Sequence, residues 1–153
     1  MVLIWGVQGV SRPSQSAMIE RTRRFIEHCD ASGEDLMVPS VVIAEYLTPF
    51  SSQQKAIQLK ELHRRFFVAP LDAAAGVLAS ELHNKGHAAG SQSGGRHTLK
   101  SDCYIIATAI IHGASSIVTA NFKEFRAIAG PRIKVEEVPE IPRQLRIPDR
   151  DDD

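Results

Sequence analysis

Apolar and polar residues follow two rhythms along this chain, and together these predict helices alternating with short strands. Ile19, Thr22, Phe25, Ile26 and Cys29 recur at helical spacing between Pro13 and Gly33, while Arg21, Arg23 and Arg24 crowd other faces. The spacing predicts an amphipathic helix over 14–31. Leu36-Met37-Val38 is a short apolar run stopping at Pro39, as a buried strand would. Ser40 is placed to cap a short helix reaching Leu47. Leu59, Leu62 and Phe66 at i, i+3 and i+7 predict a helix over 52–65 that runs into a strand, Phe66-Phe67-Val68. An alanine-rich helix over 71–85 follows. HAAGSQSGGRHT is then too rich in glycine and serine for regular structure and reads as a surface loop.

The second half repeats the alternation. Asp102 opens a helix whose residues Ile105, Ile106, Ala109 and Ile110 make one continuous face, ending at Gly113. Ser116-Ile117-Val118-Thr119 is a strand, Phe122 to Ala129 a short helix stopped by Gly130-Pro131, and Ile133 to Val138 a last strand. Periodicity alone would make residues 2–5 a strand as well. The organisation is a single domain over 1–138 with a proline-bearing, acid-ended tail, 139–153, that is extended or disordered. Strands alternating with helices imply βαβ units around a mostly parallel sheet.

Composition narrows the setting more than the chemistry. At 153 residues, one core suffices. The 18 basic and 18 acidic residues cancel, so no global field draws the chain to nucleic acid or an anionic membrane, and any such contact must be local. Cys29 and Cys103 are too far apart for a zinc knuckle or a disulfide framework, which favours a reducing cytoplasm. MVLIWGVQGV lacks the basic flank and cleavage site of a secretion signal, and no stretch reaches membrane-spanning length.

In open α/β sheets, ligands bind at the carboxyl ends of the strands. That rule gathers Glu45, just after the first strand, Asp102, at the start of its helix, and Asn121, directly after the strand 116–119. Each also has a structural reading. Asp102 would suit the positive end of a helix. Glu45 is i+4 from Val41 and i+3 from Val42 and shares their apolar face, which implies either an Arg or Lys partner or a metal ion. Asn121 with Glu124 makes an N-cap and capping-box pattern. His83 and His87 are four apart, but Gly86 intervenes and no third ligand follows. GSQSGG lacks the GK[ST] ending of a phosphate loop. Arg96, His97 and Lys100, just before Asp102, and Lys123 are basic positions that could meet phosphates or simply be solvated.

PSVVIAEYL followed by LKSDCYIIATAIIHGASSIVTANFKEF resembles the PIN-domain nucleases, especially the VapC-like toxins of toxin–antitoxin pairs. The resemblance spans about residues 1 to 138 and implies a three-layer α/β/α sandwich with a mostly parallel central sheet. It implies a metal-dependent endoribonuclease that uses Mg²⁺ or Mn²⁺, acts on RNA, pairs with a cognate antitoxin and forms a homodimer. Glu45 and Asp102 match two of the family's metal-binding acids. Asn121 falls where many members have a third aspartate, a departure that Glu124 would offset as an additional acid. Members also begin with a strand ending in DTN ahead of VLIW-like residues. VLIWGVQG therefore matches the first turn of the following helix, Met1 stands at the asparagine, and the first aspartate would fall upstream of Met1. On that count, the chain as written is expected to cleave RNA weakly or not at all. The alternative is a catalytically impaired PIN-like module that binds RNA or protein.

Overall fold

The computed structural model describes residues 16–88 and 95–142. In chain order these form α1 (Ser16–Ser32), β1 (Met37–Pro39), α2 (Ser40–Leu47), α3 (Ser52–Arg65), β2 (Phe67–Ala69), α4 (Ala73–Ala88) and α5 (Gly95–Ile111). There follow β3 (Ser116–Val118), α6 (Phe122–Ala129), a 3₁₀ turn (Gly130–Arg132) and β4 (Lys134–Glu136). The strand or helical turn expected at residues 2–5, and the tail from residue 143 onward, lie outside the described residues.

Local chemistry accounts for most of the boundaries. α1 buries Ile19, Thr22, Ile26 and Cys29, the stripe its apolar spacing predicts. It ends at Gly33, whose φ of 72° is the left-handed conformation that lets the Glu34 N–H reach back to the Cys29 carbonyl at 3.0 Å. α5 ends by the same device: Gly113 has φ 75° and the Ala114 N–H bonds the Ala109 carbonyl at 2.9 Å. α3 opens with a reciprocal cap, in which the Gln54 N–H donates to Ser51 Oγ and the Ser51 N–H to Gln54 Oε1. α4 begins two residues later than its composition suggests, because Asp72 Oδ1 accepts the Ala75 N–H at 2.8 Å.

Three expectations are corrected. Ser40 does not cap α2: Pro39 holds the cap position, and the Ser40 hydroxyl accepts the Leu71 N–H at 3.2 Å, tying α2 to the segment after β2. The stretch read as a loop, 87–98, is helical at its two ends, where α4 runs through Ala88 and α5 begins at Gly95; residues 89–94 lie outside the described residues. Gly86 is thus inside α4 and does not end it, since one glycine costs a helix only about 1 kcal/mol relative to alanine. The third follows from α5: Asp102 does not open its helix but sits about two turns inside it.

The strands are parallel, as expected, but form two pairs among the described residues. β1 pairs with β2, Val38 opposite Val68, and β3 with β4, Ile117 opposite Val135. Each pair is a βαβ unit, with α2 and α3 between the first two strands and α6 between the second. A cavity of about 740 Å³ lies between the pairs, lined by Leu36–Pro39 on one side and Ser116–Thr119 on the other, with Ile105 and Ala109 of α5. The core divides the same way. Ile26, Val38, Val42, Ile43, Tyr46, Leu62 and Phe66 pack around the first pair, and Leu82, Leu99, Ile106, Ile117, Phe125 and Ile133 around the second. Ile105 packs against both clusters and joins them.

Candidate functional site

α2 follows directly from β1, and α6 follows β3 after a three-residue link, so both helices start at carboxyl ends of strands, where Glu45 and Asn121 were expected. α5 brings Asp102 to them. The structure places both Glu45 and Glu124 within electrostatic reach of Asp102, although the three come from three helices. The Asp102 carboxyl is pushed from its ordinary value of 3.8 up to about 6, first by burial and then by the negative charges of Glu124 and Glu45. Its charge is felt in turn by the buried Cys103 thiol, raised to about 11 mainly by desolvation and then by Asp102.

This arrangement removes the structural reading of Asp102. A carboxylate two turns inside a helix gains nothing from the N-terminal dipole, whose influence fades within the first turn. Nor does the half-buried carboxyl have a hydrogen bond or cationic partner among the described residues. The charges of Glu124 and Glu45 act against its ionised form, which folding alone does not reward.

Glu45 differs from expectation in the opposite sense. Its side chain is exposed, not buried with Val42, because at the i+3 position it falls beside the buried face of α2 that Val42, Ile43 and Tyr46 occupy. Its partner is neither Arg nor Lys. Ser101 Oγ donates to Glu45 Oε1 at 2.5 Å, across 56 residues of sequence. Nothing in the sequence marks Ser101 for that role, since one hydroxyl in KSD is indistinguishable from any solvated serine until α2 and α5 are placed side by side.

Asn121 does occupy the N-cap position of α6, but its side chain makes no capping bond, so the expected box with Glu124 is absent. The reason is local. The Asn121 N–H is held by Thr119 Oγ1 at 3.2 Å, and its backbone, at φ −93° and ψ 44°, is not the extended conformation that aims a cap side chain at the helix. The amide of Asn121 and the carboxylate of Glu124 are thereby left free of each other.

The basic candidates are divided. Lys100 is exposed on α5, its ammonium 5.9 Å from the centre of the Tyr104 ring, and Lys123 is exposed on α6. Arg96 and His97 fall in the first turn of α5, but their side chains, like that of His87, lie outside the described residues.

Among the described residues, no three His, Cys, Asp or Glu side chains are gathered into a ready-made metal-binding group. The donor chemistry nevertheless fits a hard divalent cation: all three acids offer oxygen, and an ion of the Mg²⁺ type is ordinarily held by one or two carboxylates, with water and phosphate completing its shell. Asp102 carries the fit, as a half-buried carboxyl that feels the like charges of Glu124 and Glu45, which a cation would neutralise. No described helix is long and apolar enough to cross a membrane. A family model described as the PIN domain matches residues 12–131, most of the chain. No curated protein matches it.

Proposed function

This chain belongs to the PIN-domain family, whose members are generally nucleases that use divalent metal ions, and from that premise we propose that it is a metal-dependent endoribonuclease, the toxin of a VapC-like toxin–antitoxin pair in the cytoplasm. The observation that supports this best is the half-buried Asp102 carboxyl, pushed up to about 6 by burial and by the charges of Glu124 and Glu45. Strongly shifted acids of this kind concentrate at functional sites.

Glu45 and Asp102 would hold Mg²⁺ or Mn²⁺, directly or through water, with Glu124 as an additional acid. The ion, when bound, supplies water activation and charge neutralisation at the scissile phosphate. The amide oxygen of Asn121 would accept a hydrogen bond from a metal-bound water without adding charge. Lys100 and Lys123, with Arg96 and His97, would contact RNA phosphates, which fixes the strand's register but not its sequence. Homodimerisation and capture of an antitoxin segment would use α2 and α3. The exposure of Ile57 on α3, 57%, supports that surface.

A second reading is an impaired PIN-like module that binds RNA or a partner protein. Two observations favour it: Asn121 is uncharged, and the acids are not closed into a finished group among the described residues. The two are separated by incubating the purified chain with mixed RNA and Mn²⁺, with EDTA as control. Cleavage that EDTA stops and Asp102→Asn abolishes supports the nuclease. RNA binding that survives EDTA, without cleavage, supports the module.

A further inference from the structure

We infer that Ser101 is a positioning residue that fixes the Glu45 carboxylate in the orientation needed to share one divalent cation with Asp102. The inference rests on the metal-dependent reading above and names a residue that reading does not require.

An exposed glutamate on a helix samples many rotamers, and a carboxylate that must be ordered at the moment of binding weakens the site by that loss of freedom. Glu45 is exposed yet already hydrogen-bonded. Ser101 Oγ lies 2.5 Å from Glu45 Oε1, at the short end of the range for a hydroxyl donating to a charged carboxylate. The hydroxyl must be the donor, because an ionised carboxylate can only accept.

The covalent geometry adds a second point. Ser101 immediately precedes Asp102 on α5, so the same helical turn that presents the Asp102 carboxyl also grips the carboxylate arriving from α2. The bond also divides the work of the carboxylate: Oε1 is engaged by Ser101, and Oε2 has no hydrogen bond among the described residues. One free oxygen on Glu45 suits Mg²⁺ or Mn²⁺, which keep several waters and need single, well-directed donors. Hydrogen-bonded support of this kind behind a ligand is commonly worth 10- to 100-fold in metal affinity.

The contrary view is that Ser101 is a plain staple between two helices. Calorimetric titration with Mn²⁺ alone, on the full chain, separates the two. Ser101→Ala should weaken Mn²⁺ binding about tenfold. Ser101→Thr, which keeps the hydroxyl, should restore it, and melting temperatures in EDTA should be alike for all three proteins. In a Glu45→Ala background, where the hydroxyl has no side-chain oxygen left to hold, Ser101→Ala should have no further effect on Mn²⁺. Equal Mn²⁺ affinity in wild type and Ser101→Ala overturns the inference, as does a Ser101→Ala effect that persists without Glu45, or one that appears instead as a lower melting temperature in EDTA. The metal reading itself fails differently. If the wild type does not bind Mn²⁺, or binds it as well after Asp102→Asn, both the site and this inference fall; if Asp102→Asn abolishes binding and Ser101→Ala does not change it, only the inference does.

Discussion

Glu45 and Asp102 carry the same formal charge and meet at one edge of the fold, yet the structure treats them in opposite ways. Glu45 on α2 is in solvent and has a hydrogen-bond donor; Asp102 on α5 is half-buried and has like charges instead. For the metal-free fold, the first is nearly neutral and the second is a cost, carried because the cores on either side are ample. Measured against stability alone, then, Asp102 is the misplaced residue, and strongly shifted acids of that kind concentrate at functional sites.

That contrast depends on stability residing in the cores, and the largest effect should come from breaking one. Ile106 is fully buried on α5, one turn beyond Asp102. Ile106→Ala should cost about 2–5 kcal/mol in urea denaturation, through lost transfer energy plus the cavity left behind. On the Glu45 side, Tyr46 is 1% exposed and its hydroxyl donates to Gln58 Oε1 at 2.7 Å. Tyr46→Phe should cost about 1 kcal/mol, because the ring stays packed and only the hydrogen bond is lost. A Tyr46→Phe cost as large as that of Ile106→Ala would mean that the two halves are not stabilised by apolar packing alike.

The sequence carried the elements better than the site, and the reason is periodicity. α1, α2, α3 and α6 repeat apolar residues every three or four positions around a buried face, so burial wrote itself into the pattern and fixed their extents within a residue or two. α5 escaped in part because its first turns, GRHTLKS, show no such repeat. Starting the helix at Asp102 then gave that acid a dipole it does not have. Glu45 was misjudged because i+3 and i+4 spacing locates a residue only to within part of a turn, too coarse to separate the rim of an apolar face from its centre. The Ser101 bond and the failed cap at Asn121 are tertiary and backbone-specific, respectively, and no spacing rule reaches either.

Asp102→Asn sharpens the comparison further, and its sign is the informative part. Because folding raises the Asp102 value from 3.8 to about 6, the folded chain holds that proton more tightly than the unfolded chain does. The favourable contribution is therefore complete below pH 3.8 and is lost as pH rises through 6. At pH 7, metal-free Asp102 is ionised against burial and two neighbouring charges, and Asp102→Asn should raise stability. Since the group is only half-buried, solvent screening limits the gain to about 1 kcal/mol. The gain should shrink towards zero at pH 4, where the native carboxyl is already neutral. Denaturation in EDTA at both pH values checks this; a variant destabilised at pH 7 would show that Asp102 has a stabilising partner after all. Added Mn²⁺ should raise the melting temperature of the wild type and not of the variant, since only a ligand bound to the native state shifts that equilibrium.

The smallest effect is expected at Glu45, and it is the one that closes the comparison. Glu45→Gln keeps an oxygen where Ser101 donates and changes only the charge. The side chain is exposed, so neither a cavity nor a buried unpaired group results, and surface substitutions of this kind fall within about 0.5 kcal/mol. What little change there is should be favourable, because one of the two charges raising Asp102 is removed. Mn²⁺ affinity should nevertheless fall as clearly as it does for Asp102→Asn. Equal losses of metal binding from two substitutions with such unequal effects on stability would mean that the acids are joined by the ion they hold and not by any role in the fold. A Glu45→Gln variant that binds Mn²⁺ like the wild type would leave Glu124 as the partner of Asp102 and move the site from the α2–α5 contact to the start of α6.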